Sequence, residues 1–344
     1  MSATITSTRV AIVSAVAIVV VLVAVVLGLA TGQTPIASAA IVRDLLSHLG
    51  LGHSPLTPLQ HAVLWSLRAP RVTLGLLAGA TLSVAGAAYQ GVFRNPLADP
   101  YLLGVASGAG LGATLAIVAM ATGTGTPAWT PALAFLGALA AVGVTWTVGA
   151  RGAGSSPTGL ILAGVAVSSL LTSAQTFVQA TSHQAVTRVY FWLLGSLANK
   201  SWSDAWMVLP YAVVSVAVCV GAGRALDVMS VGDVESRALG VRVARVRAVV
   251  VLAASLGTAA VVSAVGLIGF VGIIVPHVVR LVVGTSYRRI LPLSMVVGAA
   301  FLVLADKLAG SVLTNSEVPL GVVTALLGAP VFVVLLRWRK VVSL

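Results

Sequence analysis

The sequence predicts an all-α polytopic membrane protein with about ten transmembrane helices, both termini in the cytoplasm and a short cytoplasmic helix. Of its 344 residues, 58% are hydrophobic and 8% are charged, and the mean hydropathy is +1.07. A soluble domain carries about 25% charged residues, and ten helices of about 20 apolar residues would use most of this chain. Residues 1–344 are therefore expected to form one membrane domain, with no room for a soluble catalytic domain.

Ten apolar runs mark the expected spans. They lie at roughly 10–30, 72–93, 102–121, 131–149, 158–180, 204–222, 247–266, 267–284, 290–308 and 319–336. The first run is longer than the apolar core of a secretory signal peptide, which favours a retained helix. The seventh and eighth runs are nearly continuous and divide at Gly266, Gly269 and Gly272, so one of them could be a half-length helix.

The distribution of basic residues predicts the topology. If both termini are cytoplasmic, 14 of the 20 Lys and Arg residues fall inside and 6 fall outside, as the positive-inside rule requires. Most of these residues stand singly or in short loops between apolar runs, so the formal net charge of +12 does not indicate nucleic-acid binding. The single cysteine, Cys219, allows no intrachain disulfide.

Glycine spacing predicts close helix packing. Gly75 and Gly79, and then Gly104, Gly108 and Gly112, follow the G-x-x-x-G pattern. Small residues let helix backbones approach one another in lipid. Packing within one subunit is favoured over a seam between two subunits.

Two polar segments stand out between the spans. Residues 94–100 contain Pro96 and Pro100, which predict a short, stiff loop. Residues 224–247 form the longest polar stretch on the cytoplasmic side. Ser230 and Asp233 have the spacing of a capping box and Gly240 can end a helix, which predicts a short exposed helix at about 231–239.

Catalytic and energy-coupling motifs are missing from the sequence. The segment 195–201 resembles a Walker A motif only superficially, because Asn199 stands where glycine must precede Lys200. The sequence predicts no catalytic residue and no metal site. Apart from Asp204 at the first position of its run, Asp306 is the only acidic residue inside a predicted span, where Lys307 follows it, whereas carriers driven by protons or sodium usually place acidic residues in the bilayer. A pump built on this chain would therefore take its energy from another subunit.

Several short motifs occur in one order from about residue 60 to the C-terminus. They are Arg68-Ala-Pro-Arg71, Gly91-Val-Phe-Arg-Asn-Pro-Leu-Ala-Asp-Pro100, Leu103-Gly-Val-Ala-Ser-Gly108, Leu239-Gly-Val241, Gly266-Leu-Ile-Gly-Phe-Val-Gly-Ile-Ile-Val-Pro-His277, and Glu317-Val-Pro-Leu-Gly321 with Gly328-Ala-Pro330. Together they resemble the permease subunits of the binding-protein-dependent ABC importers for iron–siderophores, haem and vitamin B12, which are FecCD-type or type II importers.

The resemblance implies an assembly. It comprises a homodimer in membrane lipid, two ATP-binding cassette subunits on the cytoplasmic side and an extracytoplasmic substrate-binding protein, with no nucleic acid. ATP and Mg²⁺ would be bound by the partner ATPase, so this chain would hold no cofactor and would not itself be an enzyme. The implied location is the cell membrane.

The resemblance also implies site residues on the cytoplasmic side. Asn95 and Leu97 match the residues that narrow the pathway in the vitamin B12 member, which makes them the expected cytoplasmic gate. The helix at 231–239 matches the coupling helix of the family, and Asp233, Glu235 and Arg237 are its expected polar contacts to the ATPase. A solvated loop helix without a partner is the alternative interpretation.

On the outer side, the resemblance assigns Arg68 and Arg71 to docking of the binding protein, through ion pairs with its acidic residues. Anchoring to lipid headgroups is the alternative for these two arginines.

The implied function is that of a permease moving a ferric-siderophore-type chelate from the binding protein into the cytoplasm. Haem and vitamin B12 remain alternative cargoes, because the pathway walls consist mostly of Ala, Val, Leu, Gly, Ser and Thr. An ATPase-independent secondary carrier and a non-transporting membrane scaffold are the alternatives of other classes.

Overall fold

The computed structural model describes residues 7–32, 34–48, 50–153, 157–313 and 316–342. For residues 7, 151–153, 157 and 334–342 it describes the backbone and not the side chains. These residues form helices joined by loops, as predicted. The helices are α1 (Ser7–Ala30), α2 (Ser38–His48), α3 (Pro58–Phe93), α4 (Val105–Ala121), α5 (Trp129–Ala153), α6 (Pro157–Ala180), α7 (His183–Leu193), α8 (Trp202–Gly221), α9 (Gly223–Met229), α10 (Asp233–Ala238), α11 (Val243–Val265), α12 (Val271–Val283), α13 (Tyr287–Ser311) and α14 (Leu320–Val342).

The apolar runs of the sequence coincide with helices. Within the described residues, seven helices are long and apolar enough to cross a membrane: α1, α3, α5, α6, α8, α11 and α13. Three shorter apolar helices lie at Val105–Ala121, Val271–Val283 and Leu320–Val333. Each predicted run corresponds to one of these elements, which confirms the polytopic helical class.

Helix α3 lies at the centre of the bundle. It packs against α13, α11, α8 and α12, and most of its Ala69–Phe93 part is buried. A helix that is apolar on all sides requires such surroundings. Near its N-terminal end, Val63–Arg68 is π-helical, between the α-helical parts Pro58–Ala62 and Ala69–Phe93.

Glycines allow the central helices to touch backbone to backbone. A Cβ on Gly79 of α3 would overlap the carbonyl group of Gly298 in α13, and a Cβ on Gly108 of α4 would overlap that of Gly137 in α5. The predicted packing role within one subunit is confirmed for these two glycines.

The seventh and eighth runs are separated by a break at 266–270, which leaves α12 as a helix of only 13 residues. Gly266 begins the break with φ +78, and a Cβ there would press on the Gly195 backbone. Tyr101 holds the break from a third segment, since its hydroxyl donates to the Ile268 carbonyl at 3.1 Å and accepts from the Ile268 amide at 3.2 Å. The half-length helix is thus α12.

A polar cluster fastens α2 to the first turns of α3. Asp44 of α2 is fully buried and accepts a hydrogen bond from the Trp65 indole at 2.8 Å. Burial alone would raise the pKa of Asp44, but hydrogen bonds from Ser54 and Trp65 and the nearby imidazoles of His61 and His48 lower it overall. The carboxylate therefore stays charged and holds the two helices together near neutral pH.

Candidate functional site

The Arg94 end of α3 carries the two predicted gate residues. Helix α3 ends at Phe93, and Arg94 follows in the left-handed conformation with φ 49 and ψ 36. The next residues form a tight turn, in which the Leu97 amide donates to Asn95 Oδ1 at 2.9 Å and the Ala98 amide donates to the Asn95 carbonyl at 3.0 Å. The Leu97 side chain is 43% exposed, so it projects away from the chain's own core.

The predicted exposed helix is present as α10, within the predicted range. It ends in a Schellman motif at Gly240 (φ +84), where the Gly240 amide donates to Arg237 and the Val241 amide to Ser236, both at 2.9 Å. The predicted capping box was wrong: the residue before the helix is Gly232, which offers no side chain, and Ser230 instead donates to the Asp227 carbonyl.

The residues of α10 differ in their surroundings. Glu235 and Arg237 are exposed, and so are the apolar side chains of Val234 and Leu239 at 72% and 67%. Asp233 instead turns towards the protein. The exposed face of α10 is therefore partly apolar, which suits a protein partner better than water alone.

Asp233 joins two other segments by ion pairs. Its Oδ1 lies 3.1 Å from Arg94 Nη2 at the end of α3, and its Oδ2 accepts a hydrogen bond of 2.9 Å from Arg247 of α11. Burial would raise the pKa of Asp233, but the hydrogen bond from Arg247 and the charges of Arg247, Arg94 and Arg237 lower it overall. The carboxylate is consequently ionised throughout the physiological range.

Arg68 lies inside the fold. It is 8% exposed, and its guanidinium donates to the carbonyls of Leu29 and Ala30 at 2.8 and 3.1 Å and to that of Thr34. Arg68 thus ties the C-terminal end of α1 to α3. Its docking role remains a prediction. In that role, the Arg68 guanidinium would have to break its hydrogen bonds to these carbonyls.

Arg71 lies one turn further along α3 between two carboxylates. Its Nε and Nη2 donate to Asp306 of α13 at 2.8 and 2.9 Å, and its Nη1 and Nη2 donate to Glu317 at 2.8 and 2.7 Å. The side chain is 19% exposed. The hydrogen bonds from Arg71 lower the pKa of Glu317, which keeps this second carboxylate charged. Docking through Arg71 also remains a prediction.

Sequence reasoning missed the partners of these charges. Arg94 and Arg247 belong to the 14 basic residues that the predicted topology places in the cytoplasm, and nothing in the sequence pairs either with Asp233. A second missed contact is Gln90, whose Oε1 accepts a 3.0 Å hydrogen bond from Arg280 of α12. The sequence signal that could have marked Arg94 is its position directly after a helix, where glycine is usual.

Comparison with known families settles the class of the protein. The profile of the FecCD transport family matches residues 18–338. The chain belongs to the FecCD transport family. It is a multi-pass protein of the cell membrane, and its relatives are permease subunits of ABC transporters.

Three of these permease relatives show how far the similarity extends. The cobalamin import system permease BtuC of Halobacterium salinarum is 42% identical over 82% of this chain and 75% of its own length. The Fe(3+) dicitrate permeases FecC and FecD of Escherichia coli are 34% and 37% identical, over 89% and 86% of this chain and 90% and 89% of theirs.

Solved structures agree with the fold. A metal-chelate type ABC transporter in an inward-facing conformation has a TM-score of 0.83 at 28% identity, over 95% of this chain and 98% of that chain. PsaBC of Streptococcus pneumoniae has a TM-score of 0.55 at 17% identity, over 85% of this chain and 94% of that one, which shows a shared fold.

Proposed function

We propose that this chain is the permease subunit of an ATP-driven importer for a ferric-siderophore-type metal chelate. The observation that supports this most directly is the position of the exposed helix α10. It is ion-paired to Arg94, which immediately precedes the Asn95–Leu97 turn. A partner bound at α10 would therefore act beside the segment expected to close the pathway.

The proposed topology has ten transmembrane helices with both termini in the cytoplasm. Helix α12 has 13 residues and is about 20 Å long, less than the hydrocarbon core of about 30 Å. The non-helical residues 266–270 complete this crossing, and backbone hydrogen-bonding groups there are held by protein, as Tyr101 holds Ile268. This topology puts the Arg94 end of α3 and α10 together in the cytoplasm.

The proposed assembly has two copies of the chain around a central pathway, two ATPase subunits below and a binding protein above. ATP and Mg²⁺ would be bound by the ATPase, and this chain would perform no hydrolysis. Asn95 and Leu97 would narrow the pathway at the cytoplasmic end. Arg71, at the opposite end of α3, would face the binding protein.

Cobalamin is the second candidate cargo. The Halobacterium relative named as a cobalamin permease is 42% identical to this chain, whereas the two E. coli ferric dicitrate permeases are 34% and 37% identical. Both cargoes are bulky metal chelates and fit the same fold and coupling.

Uptake in a deletion strain tests the proposal and separates the cargoes. Cells with and without the chain restored would be given radiolabelled ferric citrate, a ferric hydroxamate, haem and cobalamin. We expect loss and rescue of uptake for one ferric chelate. Rescue of cobalamin alone would move the cargo to the second candidate. Normal uptake of all four, with no ATPase co-purifying, would contradict an importer function.

The ATPase contact is tested at the exposed residues of α10. We expect charge reversal, Glu235→Lys or Arg237→Glu, to reduce co-purification of the ATPase and uptake by about tenfold, because interfacial charges of the wrong sign repel the partner. The control is Arg188→Glu in α7, an exposed residue that the topology places outside. Equal ATPase yields from all three variants would show that α10 is not the contact.

A further inference from the structure

We propose that the Arg94–Asp233 ion pair is the mechanical connection by which movement of α10 reaches the cytoplasmic gate. This inference rests on the proposed function, since it assumes that an ATPase moves α10. Asp233 then acts as a positioning residue that works through Arg94, and not as a contact to the ATPase. The inference follows from three features of the geometry.

The first feature is where Arg94 lies in the chain. It is the residue between the last turn of α3 and the Asn95–Leu97 turn. That turn is stiffened by the Asn95 Oδ1 contact to the Leu97 amide at 2.9 Å. If α10 displaces the Arg94 guanidinium, the Asn95–Leu97 turn therefore moves with it as one body. The buried part of α3 stays in place.

The second feature is the packing of α10. This helix packs on α9 and α11 and makes few backbone approaches to α3. Ser236 connects it to α9, since its hydroxyl proton is shared between the Val228 carbonyl at 2.9 Å and the Gly232 carbonyl. Among the described residues, Asp233 supplies the ion pair from α10 to the Arg94 end of α3.

The third feature is the difference between the two arginines. Arg247 is 5% exposed at its side chain, so its bond fixes Asp233 to α11. Arg94 is 38% exposed, but the Asp233 Oδ1 atom that it faces is buried, so separating the pair would leave that carboxylate oxygen without a charged neighbour and away from water. Asp233 is thus held to α11 by a buried arginine and to the end of α3 by a partly exposed one.

The backbone of Arg94 adds support. Left-handed residues after a helix are usually glycine, because a Cβ is disfavoured there. Arg94, with φ 49, therefore carries the steric cost of a Cβ in the left-handed region. Its guanidinium also lies close to Gly232, the residue that precedes α10, so that the side chain reaches the start of this helix.

The test uses the whole importer, reconstituted in vesicles with its ATPase and binding protein and with radiolabelled ferric citrate and cobalamin as probes. The variants are Arg94→Gln, Asp233→Asn and Arg94→Lys, with Arg245→Gln on α11 as the control for loss of one exposed cytoplasmic charge. Uptake and ATP hydrolysis are measured in the same vesicles.

We expect Arg94→Gln and Asp233→Asn to lower uptake about tenfold, in line with loss of a charged contact, while ATP hydrolysis stays within about twofold of the original. Arg94→Lys should keep at least half of the uptake, and Arg245→Gln all of it. The double variant Arg94→Gln with Asp233→Asn should be no worse than Asp233→Asn alone, since Asp233→Asn already removes the ion pair with Arg94.

Full uptake by Arg94→Gln would overturn the inference, and so would a parallel loss of uptake and hydrolysis in both Arg94→Gln and Arg94→Lys. Failure of the unchanged protein to import either probe with ATP would instead count against the proposed function. The hydrolysis readout separates coupling from folding, because a purely structural defect lowers both rates together.

Discussion

Replacing Gly86 with alanine is expected to destabilise the protein by about 3 kcal/mol or more. Gly86 of α3 lies against Gly272 of α12, and a Cβ there would overlap the Gly272 carbonyl oxygen, its carbonyl carbon and its Cα. These atoms are backbone, so no side-chain rotation relieves the overlap and one helix must shift. The shift would move α12, whose break at 266–270 is held by Tyr101.

The matched control is Gly143→Ala in α5, where a Cβ would meet nothing within 4 Å. Both changes gain up to about 1 kcal/mol of helix propensity, so their difference isolates the overlap. Thermal unfolding in detergent, followed by the loss of monodisperse protein, provides the measurement. Equal melting temperatures for the two variants would mean that α3 and α12 are not in backbone contact.

The reciprocal change, Gly272→Ala, should be milder. Its added Cβ would approach the Leu82 carbonyl at 3.0 Å and Asp99 Oδ2 at 3.3 Å, distances that small movements can relieve. The order of melting temperatures is therefore expected to be Gly143→Ala highest, Gly272→Ala next and Gly86→Ala lowest.

Replacing Arg71 with methionine is expected to cost about 3–5 kcal/mol of folding free energy. The change leaves the Asp306 carboxylate, 6% exposed at its side chain, without the guanidinium that accounts for two of its hydrogen bonds. An unpaired carboxylate at the buried α3–α13 contact is far more costly than one at the surface. The variant should melt well below the original protein.

Two further variants make the Arg71 prediction decisive. Glu317→Gln should cost less than about 1 kcal/mol, because that side chain is 41% exposed. The double change Arg71→Met with Asp306→Leu should recover most of the lost stability, since it removes the orphaned charge. If the Arg71→Met and Glu317→Gln variants have the same melting temperature, the Arg71 guanidinium does not stabilise the contact between α3 and α13.

The same variants separate stability from docking. A docking role for Arg71 predicts weaker binding of the extracytoplasmic protein in any variant that folds, including the stable double variant. A purely structural role predicts normal binding once stability is recovered. Binding to the purified double variant therefore tests the outer-side proposal independently of the melting experiment.

The predicted elements show how much the sequence determined. Hydropathy located the ten apolar helices of the described residues because a span of lipid demands a long apolar run, and that demand is local. The position of α10 followed from polar residues and from Gly240, whose left-handed backbone ends the helix. Its N-terminal cap was mispredicted, because Ser230 donates to the Asp227 carbonyl instead of capping α10.

The tertiary structure alone decided which groups meet. Arg71 and Asp306 are 235 residues apart, and Gln90 and Arg280 are 190 apart. Spacing along the chain predicts only contacts within one helix, whereas these pairs depend on how α3 packs against α12 and α13. The inward turn of Asp233 likewise depends on Arg94 and Arg247 arriving from two other helices. Local sequence thus determined where each helix lies along the chain, and packing of distant helices determined which charges pair.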